Sequence, residues 1–156
     1  MVVVATGVLA AEPRVAKPLP EFALTAVDGA SLTSSNLAGK TLMIWFFASR
    51  DKPCLRQLPA LQELQNEYQT NGLVVIGVAL DQNGVEPIKT FIKTNQVSFP
   101  IAMAEYDFIT DAGGLEAVPT TLVVEPRGNI ISRYVGVTAR AVLEADLKAI
   151  FNLGRD

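Results

Sequence analysis

Thr41-Leu42-Met43-Ile44-Trp45-Phe46-Phe47 is a continuous apolar run, the pattern of a central strand covered on both faces. Ala48-Ser49-Arg50-Asp51-Lys52 follows it, and then Pro53-Cys54-Leu55-Arg56-Gln57-Leu58-Pro59. Residues 53–70 carry Leu58, Leu61, Leu64 and Tyr68 at helical spacing, so a buried strand feeds directly into a helix with one apolar face. Pro59 falls inside that helix and should kink it, because it has no N–H to bond to residue 55.

Further along the chain the alternation continues. Residues 73–80 read as a second buried strand, and 86–95 as a second helix with Ile88, Phe91 and Ile92 on one face. Two β–α units in series make a parallel sheet with right-handed crossovers. The last third changes pattern. Residues 101–104 read as a short strand and 108–112 as a short helix ending at Gly113-Gly114. Residues 120–125 and 130–135 are β-rich and joined by Pro126-Arg127-Gly128-Asn129, a tight turn that makes them an antiparallel hairpin. Thr138 can cap a final helix whose apolar face is Val142, Leu143, Leu147, Ile150 and Phe151. On the N-terminal side, residues 22–25 and 31–32 flank Asp28-Gly29, a hairpin signal, so a small ribbon precedes the body. Residues 12–20, with Pro13, Pro18 and Pro20, read as an extended lead-in. These elements predict an α/β protein with a mixed central sheet, helices on both faces and an N-terminal β-ribbon. Residues 1–19 form the leader and lead-in, and 20–156 one domain.

Composition restricts the chemistry. At 156 residues the chain is the size of one domain, and its formal charge of −3 without clustered Lys or Arg argues against nucleic acid as a partner. It has no histidine, so neither a Ser-His-Asp nor a Cys-His arrangement can form, nor a His-rich metal site. A single cysteine excludes an intrachain disulfide and a thiolate zinc cluster. No metal and no cofactor is expected. Any covalent chemistry must pass through Cys54.

Residues 2–11 form a short apolar run ending in small residues, too short to span a bilayer. Val8 and Ala10 suit the small-residue positions before a secretory cleavage site, although no Lys or Arg precedes the run. The expectation is an exported, periplasmic or cell-envelope protein, touching a membrane only through such a leader or anchor. The competing reading is an N-terminal tail without a targeting role.

The segment Trp45 to Pro59 resembles the active-site strand and helix of the TlpA/ResA-type thiol–disulfide proteins. Their pattern there is an aromatic-rich strand, Ala-Ser/Thr-Trp, Cys-x-Pro-Cys, and a proline five residues past the second cysteine. Val118-Pro119-Thr120-Thr121-Leu122-Val123-Val124, with Gly128 and Gly136, is similar to the family's cis-proline loop and the hairpin after it. Residues 95–100 fit the linker before the family's next strand, and the resemblance runs from about Pro20 to Phe151. It implies a thioredoxin-like fold, with Pro119 cis and facing the cysteine. The backbone of Val118 is then exposed to pair with a bound peptide strand.

The chain also departs from that pattern. Asp51 occupies the position of the family's nucleophilic cysteine, and Cys54 matches the second, more buried one. Arg50 stands where the tryptophan would be, and Gln57 where ResA-type members carry a glutamate. The resemblance therefore implies that the dithiol machinery has been lost as a unit. Read from the residues alone, Asp51 is a helix N-cap, where a carboxylate accepts backbone N–H bonds and suits the positive end of the dipole. For Cys54, the first helical turn together with Arg50 and Lys52 lowers a thiol's pKa, while Asp51 and burial raise it.

Three functions remain open at this stage. One is a protein- or peptide-binding or accessory redox module using Val118, Pro119 and Thr120. The second is a monothiol oxidoreductase acting through Cys54, with Arg50, Asp51, Lys52, Pro53 and Gln57 flanking it. The third is a redoxin-type peroxidase, the weakest, because Asp51 stands where such enzymes have Thr or Ser and no proline stands seven residues before Cys54.

Overall fold

The computed structural model describes residues 16–152, so the apolar run 2–11 lies outside it. The sheet is built around β4 (Thr41–Phe47), with β5 (Leu73–Ala79) parallel on one side and β7 (Thr120–Val124) antiparallel on the other. β6 (Ile101–Met103) extends the parallel side. β8 (Asn129–Val135) and the two-residue β1 (Lys17–Pro18) extend the antiparallel side, giving the order β1-β8-β7-β4-β5-β6. Every residue of β4 and of β7 is buried, which is why both read as unbroken apolar or β-branched runs.

Alternation along β4 divides the core. Met43, Trp45 and Phe47 face one side, where α1 (Lys52–Tyr68), α2 (Glu86–Asn95) and α4 (Arg140–Phe151) pack through Leu58, Leu61, Leu64, Phe91 and Leu147, among others. Trp45 stacks on Phe47 with centroids 4.1 Å apart, and Phe47 meets Phe91 at 5.3 Å. Leu42, Ile44 and Phe46 face the other side, covered by Phe108 of α3 (Tyr106–Asp111) and by a separate hairpin, β2 (Ala23–Thr25) with β3 (Ser31–Thr33). Helices thus lie on both faces of a mixed sheet, with a ribbon at the N-terminal side.

Two carboxamides fix α1 against its surroundings. Gln65 donates to the Leu73 carbonyl at 2.9 Å and accepts from the Val75 N–H at 2.6 Å, holding the helix to β5. Gln62 accepts from the Ser98 N–H at 2.9 Å and donates to the Asn95 carbonyl at 3.4 Å, holding it to the segment after α2. Pro59 lies on the solvent side of α1, which runs through it for 17 residues.

Several local expectations are corrected. Thr138 does not cap α4: the helix starts at Arg140 with Ala139 in the capping position and no side-chain cap bond. The Thr138 hydroxyl donates to the Gly136 carbonyl at 3.2 Å instead. Val142 is 45% exposed, because the buried stripe of α4 runs through Leu143, Asp146 and Leu147, about 100° around the helix. Of the extended lead-in, residues 12–15 lie outside the described residues, and Lys17 and Pro18 pair with Ile130 and Asn129 as an edge strand. α3 begins at Tyr106, two residues before the apolar Phe108 that marked it. The β7–β8 turn is centred on Pro126-Arg127, with Gly128 at φ +94°, a conformation that favours glycine.

Candidate functional site

Three loops meet at the C-terminal end of β4. The first, residues 48–51, joins β4 to α1. Asp51 is its last residue and the N-cap of α1, with backbone angles of −84° and 123° and its carboxylate accepting the Cys54 N–H at 3.2 Å. Asp81, just past β5, braces the same loop by accepting from the Ser49 N–H at 3.0 Å and the Ser49 hydroxyl at 2.6 Å. The second loop is 117–119. Thr120 pairs with Phe46 across the β4–β7 ladder, so Pro119 falls beside Phe47, next to where the Asp51 loop departs. The Val118–Pro119 bond is cis. Val118 is half-buried and packs against both halves of the core. The third loop, 136–138, is tied to the second loop and to α1: the Gly136 N–H donates to the Pro119 carbonyl at 2.8 Å, and Thr138 is held by Gln57 of α1.

Cys54 lies in the first turn of α1, only 1% exposed. Its sulfur accepts from the Ala48 N–H at 3.5 Å. Burial, together with the nearby Asp51 and Asp81 carboxylates, pushes the thiol up to about 12, and the Ala48 bond only partly opposes this. Of the two opposed influences on this thiol, the inward ones prevail. Arg50 and Lys52 point to solvent and do not offset them, and Pro53 is half-buried at the second helical position. Gln57 is buried: its carboxamide donates to the Thr138 carbonyl at 2.9 Å and accepts from the Thr138 N–H at 2.7 Å. Thr120 is buried, with its hydroxyl on the Ala117 carbonyl at 2.6 Å.

Arg50, Asp51, Lys52, Pro53, Cys54 and Gln57 thus lie in the loop after β4 and the first turns of α1, and Val118, Pro119 and Thr120 at the start of β7, at the same end of the sheet. The structure adds Asp81, Ser49 and Thr138, which the sequence reading missed. An acidic residue directly after a buried strand was the signal for Asp81; nothing local marked the pairing of Thr138 with Gln57. Among the described residues, no group of three or more Cys, Asp or Glu side chains is placed to hold a metal ion.

A domain of this architecture with this loop cluster has many counterparts. The thiol-disulfide oxidoreductase ResA of Oceanobacillus iheyensis is 30% identical over 142 residues, spanning 88% of this chain and 73% of its own. That of Bacillus thuringiensis (strain Al Hakam) is 26% identical over 137 residues, spanning 88% and 79%. A crystal structure of a thiol:disulfide interchange protein of the thioredoxin family from Chlorobium tepidum TLS superposes with a TM-score of 0.80 at 26% identity, covering 90% of this chain and 99% of that one. The fold is that of a thioredoxin-like redoxin domain. The chain belongs to the AhpC/TSA family, whose pattern matches residues 15–133, and within it to the TlpA/ResA-like thiol–disulfide proteins.

Proposed function

We propose that this member of the family docks a protein or peptide segment at the Val118–Pro119 end of its sheet and runs no dithiol cycle of its own. One observation carries the reading: Asp51, in the position of the attacking cysteine, is committed to the Cys54 N–H, and the sulfur beneath it is 1% exposed. A thiol attacks as its thiolate, and a mixed disulfide needs a second thiol to release it. A buried thiol raised to about 12 is protonated at neutral pH, which argues against both the monothiol and the peroxidase readings.

Binding capacity is a separate property of the same loops. Among the described residues, neither the N–H nor the carbonyl of half-buried Val118 has a hydrogen-bond partner. An unpaired donor and acceptor beside a β-ladder suit an added strand, which would satisfy both. Exposed Val135 and Val137 flank Gly136 in the neighbouring loop and supply apolar contact. An exported, envelope-side location goes with this reading, with the apolar run 2–11 as its sequence argument; no described helix is long and apolar enough to cross a membrane.

Two measurements test the proposal. In dithiol-driven reduction of a protein disulfide, turnover should not exceed that of the reductant alone. On titration with an extended peptide, the amide signals of Val118 and Gly136 should shift first. Turnover matching an ordinary Cys-x-x-Cys thioredoxin would overturn it.

A further inference from the structure

We infer that the segment this surface takes up is acidic, with an aspartate or glutamate side chain of the peptide seated beside Arg50. The inference rests on the binding reading above and adds the chemistry of the ligand. Arg50, Lys52 and Arg56 sit at the start of α1, all three are exposed, and among the described residues none has an ion pair. Two carboxylates at this end are turned inward, Asp51 onto the Cys54 N–H and Asp81 onto Ser49. In a chain of net charge −3, the loop before α1 and its first turns present Arg50, Lys52 and Arg56 outward while Asp51 bonds inward.

Arg50 also borders an open groove of about 480 Å³ between its loop and α2, walled by Ser49, Glu86, Thr90, Phe91, Thr94 and Asn95. Thr90 and Thr94 are exposed, and their hydroxyls have no partner among the described residues. The Glu86 carboxylate in that wall is paired with Lys89 at 3.5 Å, whereas the Arg50 guanidinium is left without a counter-charge among the described residues. A carboxylate entering there meets a planar guanidinium able to engage both its oxygens, with hydroxyl donors beside it. An ammonium group would meet an unpaired guanidinium of its own sign. Glu116, exposed two residues before Val118, disfavours an acidic residue at its own position. Three cations would also attract an anionic bilayer, but the unpaired backbone of Val118 calls for a peptide strand.

The test uses labelled peptides of one length on a Ser-Val scaffold, carrying Glu, Gln or Lys, titrated against the whole chain by fluorescence anisotropy. The Glu peptide should bind about tenfold more tightly than the Gln peptide in dilute buffer, with the advantage shrinking at about 0.5 M salt and the Lys peptide weakest. Arg50→Gln should bring the Glu-to-Gln affinity ratio close to one, and Arg50→Lys should restore part of it. Equal binding of the Glu and Gln peptides, or a ratio untouched by Arg50→Gln, would overturn the acidic preference and leave the binding reading standing. No binding of any of the three would sink both. Binding to phosphatidylglycerol vesicles, lost in Arg50→Gln, with no peptide bound, would assign the cations to a membrane and overturn the inference.

Discussion

Gln57 and Thr138, 81 residues apart, pair as two peptide groups do in a ladder, each supplying one donor and one acceptor, at 2.9 and 2.7 Å. The pairing pins the loop before α4 to the first turns of α1. Only a carboxamide fits both halves. In Gln57→Glu the carboxylate can still accept from the Thr138 N–H, but it opposes the Thr138 carbonyl with no proton between them. Stability at pH 7 should fall by about 1–3 kcal/mol. The new carboxyl is favoured in its protonated form, so its folded pKa lies above its unfolded one. The deficit should therefore be smallest below the unfolded value, near about pH 4, and grow as pH rises through the raised one. Urea unfolding of both proteins at the two pH values checks this; a difference under about 0.5 kcal/mol at pH 7 would mean the pairing contributes little.

Cys54 should resist alkylation. Its thiol stands at about 12 against an ordinary 9.0, which lowers the thiolate fraction at pH 8 about a thousandfold, and burial adds a steric barrier. Iodoacetamide should modify the folded chain at least that much more slowly than the chain in denaturant. A rate within about tenfold of the denatured one would show an accessible thiolate.

The alkaline limb of stability follows from the same group and from Tyr68. The Tyr68 hydroxyl donates to Glu144, which with burial raises its pKa from 10.0 to about 12. Both groups are held protonated in the folded state. Their contribution is complete below their unfolded values and is lost as pH climbs from there toward the folded ones. Thermal melts from pH 8 to 11 should fall less steeply in Cys54→Ala and Tyr68→Phe than in the native chain. Parallel slopes would exclude both groups as the cause.

Asp51 has a structural and a chemical test. Asp51→Ala removes the cap on the Cys54 N–H and should cost about 1 kcal/mol. Asp51→Cys places a second sulfur three residues before Cys54 and should permit an intrachain disulfide, visible by mass after mild oxidation. Its disulfide-reductase turnover should exceed the native chain's yet stay partial, because Arg50 and Gln57 remain. Equal turnover in the two proteins would show that Asp51 is not what silences the site.

Leu61 is fully buried between α1 and the face of β4 that carries Trp45. Leu61→Ala should lower the unfolding free energy by about 2–5 kcal/mol. A loss under about 1 kcal/mol would mean that the apolar stripe of α1 has been assigned to the wrong face.

The elements legible in the sequence were those with a strong local period. β4 and β5 stood out as unbroken apolar runs because both their faces are covered. α1 stood out because Leu58, Leu61 and Leu64 recur on its buried side. Asp51 was legible as a cap because that role depends on residues three apart. What escaped was non-local. The Thr138 hydroxyl looked like a cap until Gln57, far away in sequence, claimed its backbone. Val142 looked apolar enough for the core, but the phase of α4 is set by its neighbours α1 and β8, with Arg140 bonded to Glu63 and Tyr134 to Asp146. The brace of Asp81 on Ser49 spans 32 residues and leaves no periodic trace.

Gln57, Gln62 and Gln65 together seat α1 on three separate stretches of backbone: the loop before α4, the segment after α2, and β5. None of these amides gains or loses a proton in the aqueous range, and none depends on a counter-charge. Acid or brine that weakens the Arg140 bridges to Glu63 and Glu67 leaves the three amide contacts intact. The molecule thus separates two jobs that ion-paired proteins combine. These three amide contacts hold α1 in place as pH and salt change, while the unpaired cations on the rim respond to salt, so salt can tune capture without loosening these three seats of the helix that presents them.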